Sequence, residues 1–447
     1  MPDLVTPRPG AAERLSRMLQ LRTVSTDFEA RGDGLLEEFV SLLEACYPQM
    51  HRALERERVG DLGLLYRWRG INSSADPLVL MAHFDVVPVD EGDAWTHPPF
   101  AGRIEGGYVY GRGALDDKGP LLVMLEAAEN LISAGFTPAR DVYFSLGGNE
   151  ETFGAAARDI SGLLQERGIT PWMVLDEGGA VVDAPLPYVR GRAAMVGVGE
   201  KGLVTLRLIA RSDGGHASVP PLVTAVGRIS RAVTRLTPTT FRARAPQAIP
   251  RMLSALTARS SGIGRMLYPV LAAWPWLSAK VFAAVGGEAA AMVRTTIAPT
   301  RLAAGTANNV LASQASVTVN LRLALGETID SAVSRIQRRI DDPQIEIEVL
   351  EGNDASPEAP AECTQFDLIR DAVLASHPEA ITVPYVTMAA TDSRHFHRYT
   401  PTTYRFAPLH MDAEQRASIH GVNERVAVSE LTRGELFHRT LIERIPA

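Results

Sequence analysis

Cysteine is nearly absent from this chain. Its 447 residues include two, Cys46 and Cys363, far apart and neither in a Cys-x-x-Cys pattern. A disulfide framework and a thiolate zinc site are both unexpected on that ground. An excess of positive charge is missing too. The 45 lysines and arginines face 52 aspartates and glutamates, for a formal net charge of -7. No basic stripe stands out, so nucleic acid is not an expected partner. Residues 1–13 carry Pro2, Pro7 and Pro9 and no apolar core, unlike a signal peptide, and a cytoplasmic protein is the simplest expectation. Also lacking is the uninterrupted apolar run of about 20 residues that a membrane span needs. The nearest approach, Leu267 to Val285, is broken by Pro269 and Pro275 and charged by Lys280. With Trp274 and Trp276 it reads as a buried or partner-facing helical pair, and membrane contact is not expected.

What is present is enough apolar material for sizeable cores, at 46% of residues, and a length that suits two domains. Helical spacing occupies Ala11 to Leu21 and Gly34 to Ala45. Leu64 to Arg69, Pro77 to Ala82, Asp141 to Leu146 and Trp172 to Leu175 read as strands. Gly119 to Ala134 and Thr152 to Arg167 read as helices between them, ended by Gly135 and Gly168. Strands alternating with helices predict an α/β domain, its mostly parallel sheet covered by helices on both faces. The pattern then changes. Strand signals at Leu203 to Ala210, Ala315 to Leu325 and Ile345 to Leu350 alternate with helical ones at Val223 to Leu236 and Ile329 to Ile340. That order suits a small α+β domain of the ferredoxin-like kind. The expected organisation is a catalytic domain from residues 1–196 and 354–447. A lid at 197–353 interrupts it, with a Pro- and Ala-rich insertion near 238–300.

Acidic and histidine side chains collect just after several of these strands. His83 and Asp85 stand two apart, which on a strand places them on one face. His83 can then ligate a metal while Asp85 holds its other ring nitrogen; an ordinary His and Asp at a strand end is the plainer alternative. Asp116, in a glycine-rich turn before a helix, can bridge two ions or merely cap that helix. Glu150 and Glu151 are adjacent, so their side chains diverge: one can bind metal while the other faces a water as general base. Asp176 closes a buried strand and is either a ligand or a turn-former. Charge favours combining them. Two zinc ions carry four positive charges, which Asp116, Glu151, Asp176 and a bridging hydroxide would neutralise, avoiding the cost of burying net charge.

The wording of these segments is itself informative. Met81-Ala82-His83-Phe84-Asp85-Val86-Val87-Pro88, Tyr110-Gly111-Arg112-Gly113, Asp116-Asp117-Lys118-Gly119, Gly215-His216-Ala217-Ser218, Asn309-Val310-Leu311, Thr391-Asp392-Ser393-Arg394 and Ile419-His420-Gly421-Val422-Asn423-Glu424 resemble the di-zinc aminoacylase/carboxypeptidase family. They are in family order over nearly the whole chain and look most like its carboxypeptidase S branch, which includes hydrolases of N-fatty-acyl amino acids. The resemblance implies two zinc ions per chain, with cobalt or manganese as alternatives. It implies His83 and Asp176 on one ion, Glu151 and His420 on the other, and Asp116 bridging them. It further implies Asp85 orienting His83, Glu150 as general base, and His216 on the oxyanion, in its own subunit or across a homodimer formed through the lid. Asn309 and Arg322 would sit near a substrate carboxylate, and a cis peptide would follow Asp116. Small departures, Ala217 and Leu311-Ala312, touch only lid detail. His395, His397 and His410 receive no role. The expected activity is hydrolysis of an amide or peptide bond beside a free carboxylate, in a small molecule such as a dipeptide. An aminoacylase or N-fatty-acyl amino acid hydrolase is the alternative, and a non-catalytic metal-binding protein is the alternative of another class.

Overall fold

The computed structural model describes residues 5–31, 33–90 and 92–447, so Pro2 lies outside it. Strands Leu78–His83 and Val142–Gly147 are buried at every position, as strands covered on both faces must be. They pair in parallel, and Met173–Asp176 pairs in parallel on the far side of Leu78–His83. Thr403–Arg405, Arg192–Glu200 and Ala380–Thr387 extend the sheet beyond Met173–Asp176. Gly63–Trp68 and Glu55–Val59 finish the other edge in antiparallel fashion. Both ends of the chain therefore build one sheet.

The two faces of that sheet follow from the two-residue period of a strand. Leu78, Leu80 and Ala82 turn to one side, into a core with Leu121, Leu125 and Phe437 of helices Lys118–Ser133 and Val428–Arg444. Val79 and Met81 turn to the other, against Ile160 and Leu164 of helix Ala155–Glu166. Lys118–Ser133 is buried almost all round because it lies between the sheet and Val428–Arg444. Its start permits no side chain at Gly119, where a Cβ would lie 2.2 Å from the Ala114 carbonyl oxygen.

The smaller domain is an antiparallel sheet in the order Thr296–Ala304, Gln314–Leu323, Gly202–Arg211, Ile345–Asn353. Helices Ala225–Arg235 and Ile329–Ile340 bury Ile229, Ala232, Ile336 and Ile340 against it. This is the ferredoxin-like arrangement. Among the described residues no helix is long and apolar enough to cross a membrane.

Three details differ from the sequence reading. Thr296–Ala304 is a full strand that begins inside the stretch read as insertion, near 238–300, and runs past its end; Pro299 disguised it, and sits where the register shifts on an edge strand, one of the places where a sheet accepts proline. The helices between Ala248 and Val293 do not cover the small sheet. Ile249, Met252 and Leu253 pack on Ala193 and Val383 of the large one, whose outer strands would otherwise show an apolar face. The helix expected from Thr152 begins later. A 3-10 turn spans Glu150–Thr152, Phe153 and Gly154 take φ values of 76° and 59°, and the α-helix proper is Ala155–Glu166.

Candidate metal centre

Strand Leu78–His83 delivers His83 to the carboxyl edge of the sheet, 2% exposed. Its Nδ1 faces Asp85, 3.3 Å from Oδ1 and 3.1 Å from the backbone oxygen. Nε2 is left to point away, 3.0 Å from Asp116 Oδ1. The Asp85 carboxylate is fully buried and does more than face the imidazole. It accepts from Ser25 Oγ at 3.0 Å and from the backbone N–H groups of Glu150 and Glu151 at 3.0 and 3.1 Å. One side chain thus sets both the ring and the turn that presents the two glutamates.

Asp116 lies in the turn before helix Lys118–Ser133, and the Asp116-Asp117 peptide is cis. Asp117 Oδ2 accepts from the His83 backbone N–H at 3.0 Å, tying this turn to the strand end. Glu424 closes the arrangement from the C-terminal side. Wholly buried, it accepts from the N–H groups of Gly113, Leu115 and Asp116 at 2.7–3.1 Å and from Arg112 Nη1 at 2.8 Å. The loop it belongs to carries His420, whose φ of 59° is unusual for a residue with a side chain.

The result is a convergence of electron-pair donors. Ligand atoms of His83, Asp116 and Glu151 all lie within 4.8 Å of one another. His420 Nε2 is 3.1 Å from Asp116 Oδ2 and 3.2 Å from Glu151 Oε1. Each oxygen of Asp116 therefore faces a different histidine. Glu151 Oε1 is buried with no aligned hydrogen-bond donor, the situation of an atom whose natural neighbour is a cation. Side chains of this type, number and spacing fit one or two divalent ions. Electrostatics agrees: the carboxylates draw positive charge inward, and Asp116 and Glu151 push His420 up to about 10.

Asp176, at the end of Met173–Asp176, stands just outside the tightest group. Its Oδ2 accepts from the Ser393 N–H at 2.7 Å, and burial raises its pKa against the pull of that bond. Glu150 is half-buried. Burial first, then the charges of Asp392, Glu151 and Asp116, hold its pKa well above the ordinary carboxylate range, with His83 opposing. A cavity of about 550 Å³ leads away from Asp116 and Glu177 towards the insertion helices, its walls including Met195, Met252, Met292, Met388, Met411 and Tyr385.

The lid residues are elsewhere. His216, on the short strand Gly215–His216, is exposed, and its Nδ1 meets Ser218 Oγ at 2.7 Å. Asn309 is exposed on the same ribbon, its carbonyl accepting from the Ala217 N–H. Arg322, on Gln314–Leu323, is half-buried, and burial lowers its pKa. Among the described residues no hydrogen bond or ion pair joins any of the three to the cluster. His395 and His397 are held down to about 3, chiefly by burial, and His410 pairs with Asp183 at 2.9 Å.

The anchors were the part the sequence did not assign. Glu424 and Asp117 sit in the quoted motifs, yet only the folded chain shows what they hold. Ser25 belongs to no motif. Neither does Glu200, which accepts from Thr391 and Arg405 and so steadies the loop that reaches Asp176.

Comparison with known proteins agrees with this architecture. The profile of peptidase family M20/M25/M40 matches residues 79–444. The human N-fatty-acyl-amino acid synthase/hydrolase PM20D1 is 33% identical over 431 residues, covering 94% of this chain and 85% of its own. The probable carboxypeptidase S-like 2 of Dictyostelium discoideum is 30% identical over 445 residues, covering 97% and 84%. Among solved structures, the M20 family metallo-carboxypeptidase Sso-CP2 from Sulfolobus solfataricus shares the fold with a TM-score of 0.69 at 15% identity, over 97% of this chain and 99% of that one.

Proposed function

Because this chain belongs to peptidase family M20/M25/M40 and is a hydrolase, we propose that it cleaves an amide or peptide bond next to a free carboxylate, as a carboxypeptidase or dipeptidase does. The observation that carries the reading is Asp116, with one oxygen 3.0 Å from His83 Nε2 and the other 3.1 Å from His420 Nε2. In this reading His83 and Asp176 would hold one zinc ion and Glu151 and His420 the other, with Asp116 available to both. Two such ions, when bound, supply Lewis acidity and lower the pKa of a water. The chain does the rest. Asp85 fixes the His83 ring and the Glu150 backbone together. Glu150 takes a proton from the attacking water and passes it to the leaving amine. His216 donates to the oxyanion once the lid, or a partner subunit's lid, brings it near. Arg322, with Asn309 beside it, receives the substrate carboxylate, for which a guanidinium fork is suited. The products are an amino acid and a second acid or amino acid. Release of amine from one dipeptide and one N-acetyl amino acid, with zinc supplied, tests the reading; no turnover of either by metal-loaded protein would overturn it.

A second reading has its own support. The methionine-walled cavity opens from Asp116, and methionine adapts to flexible apolar ligands. It favours an N-fatty-acyl amino acid whose chain lies along those walls. kcat/KM rising with acyl length from acetyl to long-chain substrates would select this reading over the dipeptidase one.

A further inference from the structure

Helices Gly264–Ala273 and Pro275–Val285 form a hairpin with two unlike sides. Tyr268, Leu271 and Phe282 turn inward, into the core shared with Ile249 and Leu253. The outer side is apolar and bare: Met266 is 76% exposed, Val270 48%, Trp274 54%, Trp276 56% and Val285 73%. The two indoles meet edge to face at 6.3 Å, and Lys280 lies over the Trp276 ring at 5.2 Å. Arg265, in the first of these helices, and Arg259, just before it in the chain, are exposed as well.

Charge along this part of the chain departs from the whole. Residues 214–287 contain eight arginines, one lysine and no aspartate or glutamate, in a protein whose net charge is -7. The acidic total conceals a basic lid.

We propose that this hairpin seats on an anionic lipid surface. Helices of 10 and 11 residues are too short to span a bilayer. They are suited to lie in its interface, where bulky apolar side chains enter, tryptophan sits at headgroup level and basic side chains meet anionic headgroups. A second copy of the chain fits less well. Two-fold pairing sets the same patch against itself, so a patch carrying Arg265 and Lys280 would face one equally basic, with no carboxylate in the hairpin to offset it. A lipid surface supplies negative charge and apolar depth together. The hairpin also joins the two helices, Ala248–Thr257 and Gly287–Val293, that place Met252 and Met292 in the cavity wall. Docking would thus hold the outer wall of the cavity at the interface, whichever substrate it takes.

The test needs no turnover, so its failure is separable from failure of the hydrolase assignment. The full chain is sedimented with phosphatidylcholine vesicles with and without phosphatidylglycerol. Binding is expected only to the anionic vesicles, with a blue shift of tryptophan emission, and weakening as salt is raised. The Trp274→Ser/Trp276→Ser variant should bind at least about tenfold more weakly, and Arg265→Glu/Lys280→Glu by roughly tenfold as well. All four side chains are exposed, so the thermal midpoint should be unchanged and serves as the control for folding. No binding to anionic vesicles at low salt would overturn the proposal, as would undiminished binding by the double tryptophan variant. A dimer in light scattering that this variant disperses, without vesicle binding, would assign the face to a second copy instead.

Discussion

The carboxyl edge of the large sheet and the ribbon of the small one are built on opposite plans. At the sheet edge the cluster is clamped before any substrate arrives: Asp85 accepts three donors besides facing His83, and Glu424 accepts four. On the ribbon, His216 touches little beyond Ser218, and Asn309 is open to solvent. The first half is preorganised, which lets electrostatic groups act without reorganising during reaction. Under the proposed function, the second half lacks partners in the folded chain because its partners would belong to the substrate or to a closed lid. Half of such a site can be read from a static fold, and the other half only from what it is positioned to meet.

The comparison breaks most severely at the metals. Chelation should abolish hydrolysis and zinc should restore it, with about two ions per active chain by metal analysis; full activity in metal-free protein would remove the preorganised half from the chemistry. Next, Glu150→Gln should retain its metal and lose about 10²–10⁴-fold in kcat. Glu151→Gln should lose metal first, so a shared phenotype would mean the two neighbours are not divided as proposed. His216→Ala carries the contrast to the ribbon: kcat should fall roughly 10²–10³-fold at unchanged metal content and similar KM. If His216 acts across a dimer, mixing this variant with Glu150→Gln subunits should recover some activity after exchange. Asp85→Asn should weaken metal binding by about 10–100-fold, because the clamp loses an acceptor where donors converge; isothermal titration of zinc into the apo variant measures it. The smallest effect is expected at Arg322. The parent should prefer an N-acyl amino acid to its amide, and Arg322→Ala should erase about tenfold or more of that preference, the scale of one charged hydrogen bond. Arg322→Lys should not restore it, since an ammonium lacks the planar fork. Equal rates on acid and amide in the parent would leave Arg322 with a structural role.

Much of the clamped half was legible because its signals are local. Short apolar runs such as the one read at Asp141 to Leu146 suit strands covered on both faces, and acids that follow parallel strands of this kind gather at one edge. The clamps were not legible, because they join residues far apart: Ser25 with Asp85, Glu424 with Gly113, Glu200 with Arg405. Strand Thr296–Ala304 was hidden by Pro299, whose cost vanishes at a bulge on an edge. The insertion was legible as apolar but not in its destination, since a helix period shows that a face is buried and not against what. Net charge misled in a similar way, as an average over a chain whose acidic and basic parts are segregated.

Arg192–Glu200 pairs with Ala380–Thr387, and Met173–Asp176 with Thr403–Arg405, so the large sheet is completed across a stretch of chain that includes the whole small domain. Every strand of the four-stranded small sheet, by contrast, lies between Gly202 and Asn353. On a growing chain the small domain can therefore close while the large sheet still lacks its last two strands. Met173–Asp176, which bears a proposed ligand, would wait with one edge unpaired. Non-local strand pairing is slow, and unpaired edges invite association with other chains. Late synthesis is thus the interval when this protein has most to gain from a chaperone, and C-terminal truncations should aggregate rather than fold as shortened hydrolases.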